Sequence, residues 1–179
     1  SYQIRASKLD PIAEPPGHVA YAYFLARQYD KAIDIWIKEQ KKTDRPSGLH
    51  LLAEAYLAKG MYEEAVAEMQ KVVASDSAPE DWTGYPILAY AYAVAGRRAE
   101  ALKILGEQKR LSRKGYISPY NFAIIYTGLG DKDRAFEWLE KGVEQRTRLV
   151  SRLNSRPMFD SLRSDPRYAE LLRAMNLEP

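Results

Sequence analysis

Only two histidines, His18 and His50, are available for acid–base or metal chemistry in this chain of 179 residues, and cysteine is absent. Without thiols there is no disulfide scaffold, no thiol nucleophile and no Cys-ligated zinc or iron–sulfur centre. His18 follows Pro15-Pro16-Gly17 near a helix start, and His50 falls on another expected helix. Neither has a second histidine at i+4, an HExxH frame or a carboxylate cluster at ligand spacing, so no metal is expected. The segment Gly128-Leu129-Gly130 lacks the Lys-Ser/Thr that a phosphate loop requires, and no serine has nucleophile-elbow surroundings. These residue types make no catalytic constellation, and neither an enzymatic activity nor a cofactor is expected.

The elements around them are those of a folded helical chain. Hydrophobic residues make up 46% and charged residues 28%, close to the globular norm. The longest nearly uncharged stretch, Trp82 to Gly96, is interrupted by two glycines, a proline and a threonine, and is too short to span a bilayer. Lysine and arginine total 27 against 24 acidic residues, so net charge alone gives little reason to expect nucleic acid.

Alanine and tyrosine recur in register. A small residue stands at Ala20, Ala53, Ala89 and Ala123, and three positions later a tyrosine at Tyr23, Tyr56, Tyr92 and Tyr126. Nine residues beyond each tyrosine comes Ala32, Ala65, Ala101 or Ala135, and four beyond that a bulky residue, Trp36, Met69, Leu105 or Leu139. Glycine follows the tyrosine by four in three blocks, as Gly60, Gly96 and Gly130, and Arg27 takes that place in the first. This pattern predicts a pair of antiparallel helices per block. The glycine closes the first helix, where a left-handed backbone is often needed. Alanines sit where two axes cross, and the tyrosine and bulky residue fill the space beside the crossing. Within the second helices, Ala32, Ile35, Trp36 and Glu39, and Ala65, Val66, Met69, Val72 and Val73, keep helical spacing. Each helix is expected to run about 13 residues, or roughly 20 Å. One pair cannot bury its apolar face alone, so neighbours must stack.

These columns resemble the tetratricopeptide repeat, a helix–turn–helix unit with small, Tyr, Gly, Ala and bulky signature positions. The likeness runs from about Ala13 to Arg146 and departs from the pattern at Arg27 and at the missing end-of-repeat prolines. The resemblance implies an all-α solenoid, a right-handed superhelix of antiparallel helix pairs. The expected pairs occupy about 13–46, 47–79, 82–115 and 117–146. Residues 1–12 read as the end of a truncated leading repeat, because Ala6 and Pro11 fall on its late alanine and terminal proline. Residues 147–179 read as a linker and a capping helix. In that segment Asp165-Pro166 supplies an N-cap and a proline at the first helical position, and Tyr168, Leu171, Leu172 and Met175 form an apolar stripe. Phe159 and Leu162 are expected to anchor it, with Arg167 and Arg173 on its wet side. The stretch from Tyr120 through Trp138 to Tyr168 is similar to repeat regions of large bacterial signalling proteins, which follow winged-helix, Ser/Thr kinase or nucleotide-cyclase domains.

The family resemblance also implies a concave groove lined by the first helices. By register its positions are Tyr21, Phe24 and Leu25; His50, Glu54 and Leu57; Tyr90, Ala93 and Val94; and Tyr120, Ile124 and Thr127. None is Lys, Arg or Asn, so capture of an acidic C-terminal tail is disfavoured. The set suits a hydrophobic peptide or an amphipathic helix, or else packs on neighbouring helices or on a preceding repeat. Residues 97–114 hold seven basic side chains against Glu100 and Glu107, which without interleaved exposed aromatics read as the solvated face of one helix, and nucleic acid is not expected as a partner. The expected function is therefore a protein–protein interaction scaffold holding a peptide or helix partner. The alternative is the regulatory arm of a larger bacterial winged-helix transcription regulator, kinase or cyclase. Self-association through the truncated leading repeat is a further expected contact.

Overall fold

The computed structural model describes residues 16–42, 49–74, 84–147 and 150–177. The proposed leading-repeat fragment, residues 1–12, lies outside them. The chain divides into two compact units, residues 1–74 and 75–179. All regular structure among the described residues is helical. In the first unit α1 (Pro16–Leu25) pairs with α2 (Tyr29–Gln40), and α3 (Leu49–Ala58) pairs with α4 (Tyr62–Ala74). Helix α2 also lies against α3, and Lys59 at the end of α3 is ion-paired with Asp30 at the start of α2. In the second unit α5 (Gly84–Val94) pairs with α6 (Arg98–Ser112), and α7 (Pro119–Gly128) pairs with α8 (Lys132–Glu144). Two 3-10 turns, Val150–Ser155 and Pro157–Leu162, lead to α9 (Pro166–Ala174). The first helix of each pair is shorter than expected at 10 or 11 residues, and the second runs 12 to 15.

The repeat columns are the core columns. Ala20, Ala53, Ala89 and Ala123 are at zero exposure, as are Ala32, Ala65, Ala101 and Ala135. The bulky column is buried too, with Trp36, Met69, Leu105 and Leu139 at 5% exposure or less. The tyrosine column has a backbone duty as well. Each tyrosine carbonyl accepts a hydrogen bond from the N–H five residues on, at 2.9 Å from Gln28, 2.9 Å from Met61, 2.8 Å from Arg97 and 3.0 Å from Asp131. This is the six-to-one bond that closes a helix through a left-handed residue. Gly60, Gly96 and Gly130 supply that residue at φ of 74, 79 and 76°. Arg27 takes the same conformation at φ 58° without glycine's freedom. The departure from the sequence pattern therefore changes the residue and keeps the turn.

Candidate functional site

The expected groove positions divide by burial. Tyr21, His50, Leu57, Tyr90 and Val94 are half-buried. Phe24 and Glu54 are each 1% exposed, and Tyr120, Ile124 and Thr127 are 4, 1 and 7% exposed. These five correct the sequence reading, since no ligand can lie against them without displacing the fold. Phe24 is held by aromatic neighbours from its own helix pair, with ring centroids 6.2 Å from Tyr21, 5.8 Å from Tyr29 and 6.0 Å from Trp36. Helix α7 is buried along its length from Pro119 to Thr127. Its partners within the second unit are α5, α8 and the second 3-10 turn, so that little of its surface is left for water. Tyr120 meets Phe159 with ring centroids 5.5 Å apart, Phe122 stacks on Trp138 at 4.2 Å, and the Thr127 hydroxyl donates to the Ala123 carbonyl at 2.7 Å. At the far end of α7 a Cβ on Gly128 would stand 2.8 Å from the Tyr90 Cα. Tyr90 is thus pressed by a neighbouring helix rather than open to a ligand.

The C-terminal segment explains much of this. Leu153, Phe159 and Leu162 are fully buried, and Met158 is 4% exposed. Asp165 caps α9 by accepting from the Arg167 N–H at 3.1 Å. The Arg167 side chain, expected on the wet side, bridges two carboxylates: Asp165 at 2.8 Å and Asp133 of α8 at 2.9 Å. Its guanidinium also lies 4.3 Å from the centre of the Phe136 ring. The guanidinium beside Asp165 lowers that carboxyl from 3.8 to about 2, chiefly through the side-chain hydrogen bonds. This clamp fastens α9 to α8.

A concave apolar surface does exist elsewhere. Tyr85, Leu88 and Tyr92 of α5 and Ile104 and Leu111 of α6 line a cleft of about 430 Å³. That volume lies within the roughly 300–1,000 Å³ typical of ligand pockets. Glu100, Lys103 and Glu107 give it a charged margin, and Gln108, 1% exposed, is its buried amide. Arg97 donates to Glu100 at 2.9 Å and Arg110 to Glu107 at 2.9 Å. These hydrogen bonds hold both carboxyls below the usual carboxylate range. The Arg97 guanidinium also covers the Tyr92 ring at 4.4 Å. The arrangement suits an apolar side chain with polar flanks. It has no paired acid and base at reacting distance and no activated nucleophile, and among the described residues no group of three or more His, Asp or Glu side chains could hold a metal.

Residues 120–146, the α7–α8 pair, match the family model of the tetratricopeptide repeat. The α7–α8 pair is a tetratricopeptide repeat. Residues 37–115 match a second family model, described as bacterial transcriptional activator domain, which spans the end of α2 through α6 and includes the whole cleft. No curated protein and no solved structure matches the chain. Within the repeat frame, the cleft uses the opposite edge of α5 from the one assigned to the groove. The sequence carried a signal for it in two stripes, Tyr85, Leu88 and Tyr92 at i, i+3, i+7, and Ile104 and Leu111 at i, i+7. The tetratricopeptide register names the groove edge and says nothing of that second edge.

Three further titratable residues, Tyr56, His18 and His50, lie outside the cleft lining. The Tyr56 hydroxyl is pushed up by burial and by the charges of Glu68 and Glu64, so it stays protonated. His18 is exposed and His50 half-buried.

Proposed function

We propose that this chain is a protein-docking helical-repeat region of a bacterial transcription regulator, and that it receives an apolar side chain of its partner in the α5–α6 cleft. The observation that carries the regulatory part is the match of residues 37–115 to the bacterial transcriptional activator domain. Tetratricopeptide repeats commonly work by holding other proteins, and no helix among the described residues is long and apolar enough to cross a membrane. The choice of the cleft rests on accessibility. Tyr85, Ile104 and Leu111 keep part of their surface in solvent around one concave space, whereas the groove positions alternate between half-buried residues such as Tyr21 and Leu57 and buried ones such as Phe24, Tyr120 and Ile124. A partner whose aliphatic or aromatic side chain enters between Leu88 and Ile104 gains about 25 cal/mol per Å² of apolar surface removed from water. The margin of Glu100, Lys103 and Glu107 then sets which polar neighbours that side chain can have.

The test is site-specific photo-crosslinking in the bacterial cell. A benzoyl-phenylalanine replaces Tyr85 or Leu111 in the cleft, and separately Tyr21 or Leu57 among the half-buried groove positions. Capture of one component of the transcription apparatus at both cleft positions and at neither groove position supports the reading. Capture at the groove positions alone refutes the placement. A captured partner with no part in transcription refutes the regulatory role.

A further inference from the structure

Helix α6 carries a second surface, which meets the cleft at Lys103 and Glu107. Projected at 100° per residue, Lys103, Lys109 and Arg110 of α6 and Arg113 and Lys114 just past its end fall, together with Glu107, within an arc of about 160° on the exposed side. Glu107 is the one carboxylate on that arc, and it is bound to Arg110. Lys109 lies 5.7 Å from the centre of the Tyr126 ring, and the charge of Lys114 helps to lower the Glu107 carboxyl. All five cations are exposed. They extend along about 18 Å of helix. At the middle of the face stands Gly106, exposed, with nothing within 4 Å of where a Cβ would lie. Packing does not call for glycine there, and a glycine inside a helix weakens it. What it provides is bare backbone between Lys103 and Arg110, over which a ligand can approach closely. Beyond the helix end the Tyr116 ring is 68% exposed. This is the exposed aromatic whose absence argued against nucleic acid at the level of sequence.

We propose that this face of α6, with Tyr116, is a contact for the phosphate backbone of duplex DNA. The lysines and arginines neutralise phosphates, the Tyr116 hydroxyl is free to donate to a phosphate oxygen, and Gly106 lets the strand lie close. The only side-chain amide of the helix, Gln108, is buried. The contact therefore positions DNA and leaves sequence reading to other parts of the regulator. The choice of DNA over another polyanion rests on the regulatory reading above, since α6 lies inside the match to the bacterial transcriptional activator domain. Binding of a polyanion rests on the face alone.

Fluorescence anisotropy of a labelled duplex of about 20 base pairs, titrated with this chain at about 50 to 200 mM NaCl, tests the proposal. The expected wild-type slope of log K against log salt is about −3 to −4, from roughly four phosphates at about 0.9 each. Lys109→Glu/Arg113→Glu/Lys114→Glu should weaken binding by roughly tenfold or more at the lowest salt and flatten the slope by about 2 to 3. Lys38→Glu/Lys41→Glu/Lys42→Glu, which makes the same charge change on exposed positions at and just past the end of α2, should stay within about twofold. If circular dichroism shows the α6 variant unfolded, the Gln triple at the same three positions replaces it and should flatten the slope by about 2 to 3. Equal loss in the α2 and α6 variants, or no wild-type binding at the lowest salt, would overturn the proposal. Polyglutamate competing as well as unlabelled duplex would overturn DNA in favour of an acidic protein. Because the crosslinking positions Tyr85 and Leu111 lie off this arc, failure here leaves the cleft reading standing, and a failure there that refutes the regulatory role removes the choice of DNA while leaving the polyanion-binding face.

Discussion

Replacing Phe24 with alanine separates a core residue from a groove residue more sharply than any other change in the first unit. Its ring is 1% exposed and has three aromatic neighbours within 6.2 Å. Truncating a buried phenylalanine to alanine costs about 3–5 kcal/mol, from lost transfer energy and the cavity left behind. The aromatic pairs add to the upper end, since each is worth about 0.5–1.5 kcal/mol beyond its buried area. A surface position away from special features would cost about 0.5 kcal/mol or less. For a chain of this length each kcal/mol moves Tm by about 2–4 °C, so Phe24→Ala should lower it by roughly 10 °C. Thermal and urea unfolding followed by circular dichroism give the number, and the urea slope shows whether the transition keeps its character. A loss below about 1 kcal/mol with an unchanged slope would refute the placement of Phe24 in the core and would return it to the groove.

Two further outcomes follow from local geometry. Gly128→Ala puts a methyl 2.8 Å from the Tyr90 backbone and should cost about 1–3 kcal/mol, whereas Gly106→Ala, with open space around it, should stabilise by about 0.4–1 kcal/mol; urea unfolding of the two variants reads both. Asp165→Asn keeps a residue able to cap α9 and removes the charge that Arg167 holds, so the difference from wild type tests the ion pair alone. The Asp165 carboxyl is lowered from 3.8 to about 2 in the folded chain, so its stabilising contribution is complete above about pH 5 and is lost as pH falls toward 2. The Tm of Asp165→Asn should therefore lie below wild type at pH 7 and converge on it near pH 2, and a gap that persists at pH 2 would assign the effect to packing instead.

The fold was readable because the repeat columns and the physical needs of a helix pair coincide. A crossing demands a small residue, so the alanine columns are fully buried; a helix end demands a left-handed residue, so the glycines sit there with positive φ. Arg27 is the instructive case. Its register alone places it at the helix end, and the backbone takes φ 58° because the six-to-one bond from Gln28 to Tyr23 and the second helix beyond fix the turn. Such a residue costs more in the left-handed region than glycine would, and the surrounding contacts must offset that cost. The Asp165-Pro166 start of α9 was legible for a similar reason, being a local device whose hydrogen bond depends on residues two apart. The Arg167 bridge to Asp133 was not, because its partner is 34 residues away.

Five of the groove positions are buried for the complementary reason. Register specifies which edge of each first helix faces the inside of a repeat array, but exposure depends on what else the chain brings to that edge. Helix α7 has an apolar residue at almost every turn and face, from Tyr120 and Phe122 to Ile124, Ile125 and Tyr126. A helix hydrophobic all round is a buried helix. That composition already says that α7 needs partners on more than the two sides a repeat supplies, and Leu153, Met158, Phe159 and Leu162 are the apolar residues downstream with no second helix of their own to pack in. Matching that surplus against the surplus of α7 would have closed the last groove position from sequence alone. The α5 helix shows the converse. It too is apolar at almost every position, yet Tyr85 keeps partial exposure and the α5–α6 pair keeps a cleft. Unspent apolar surface on a helix pair is what a docking partner requires. The working surface is thus better sought where the apolar residues of a repeat exceed those its own chain can cover than at the positions the repeat register assigns to a groove.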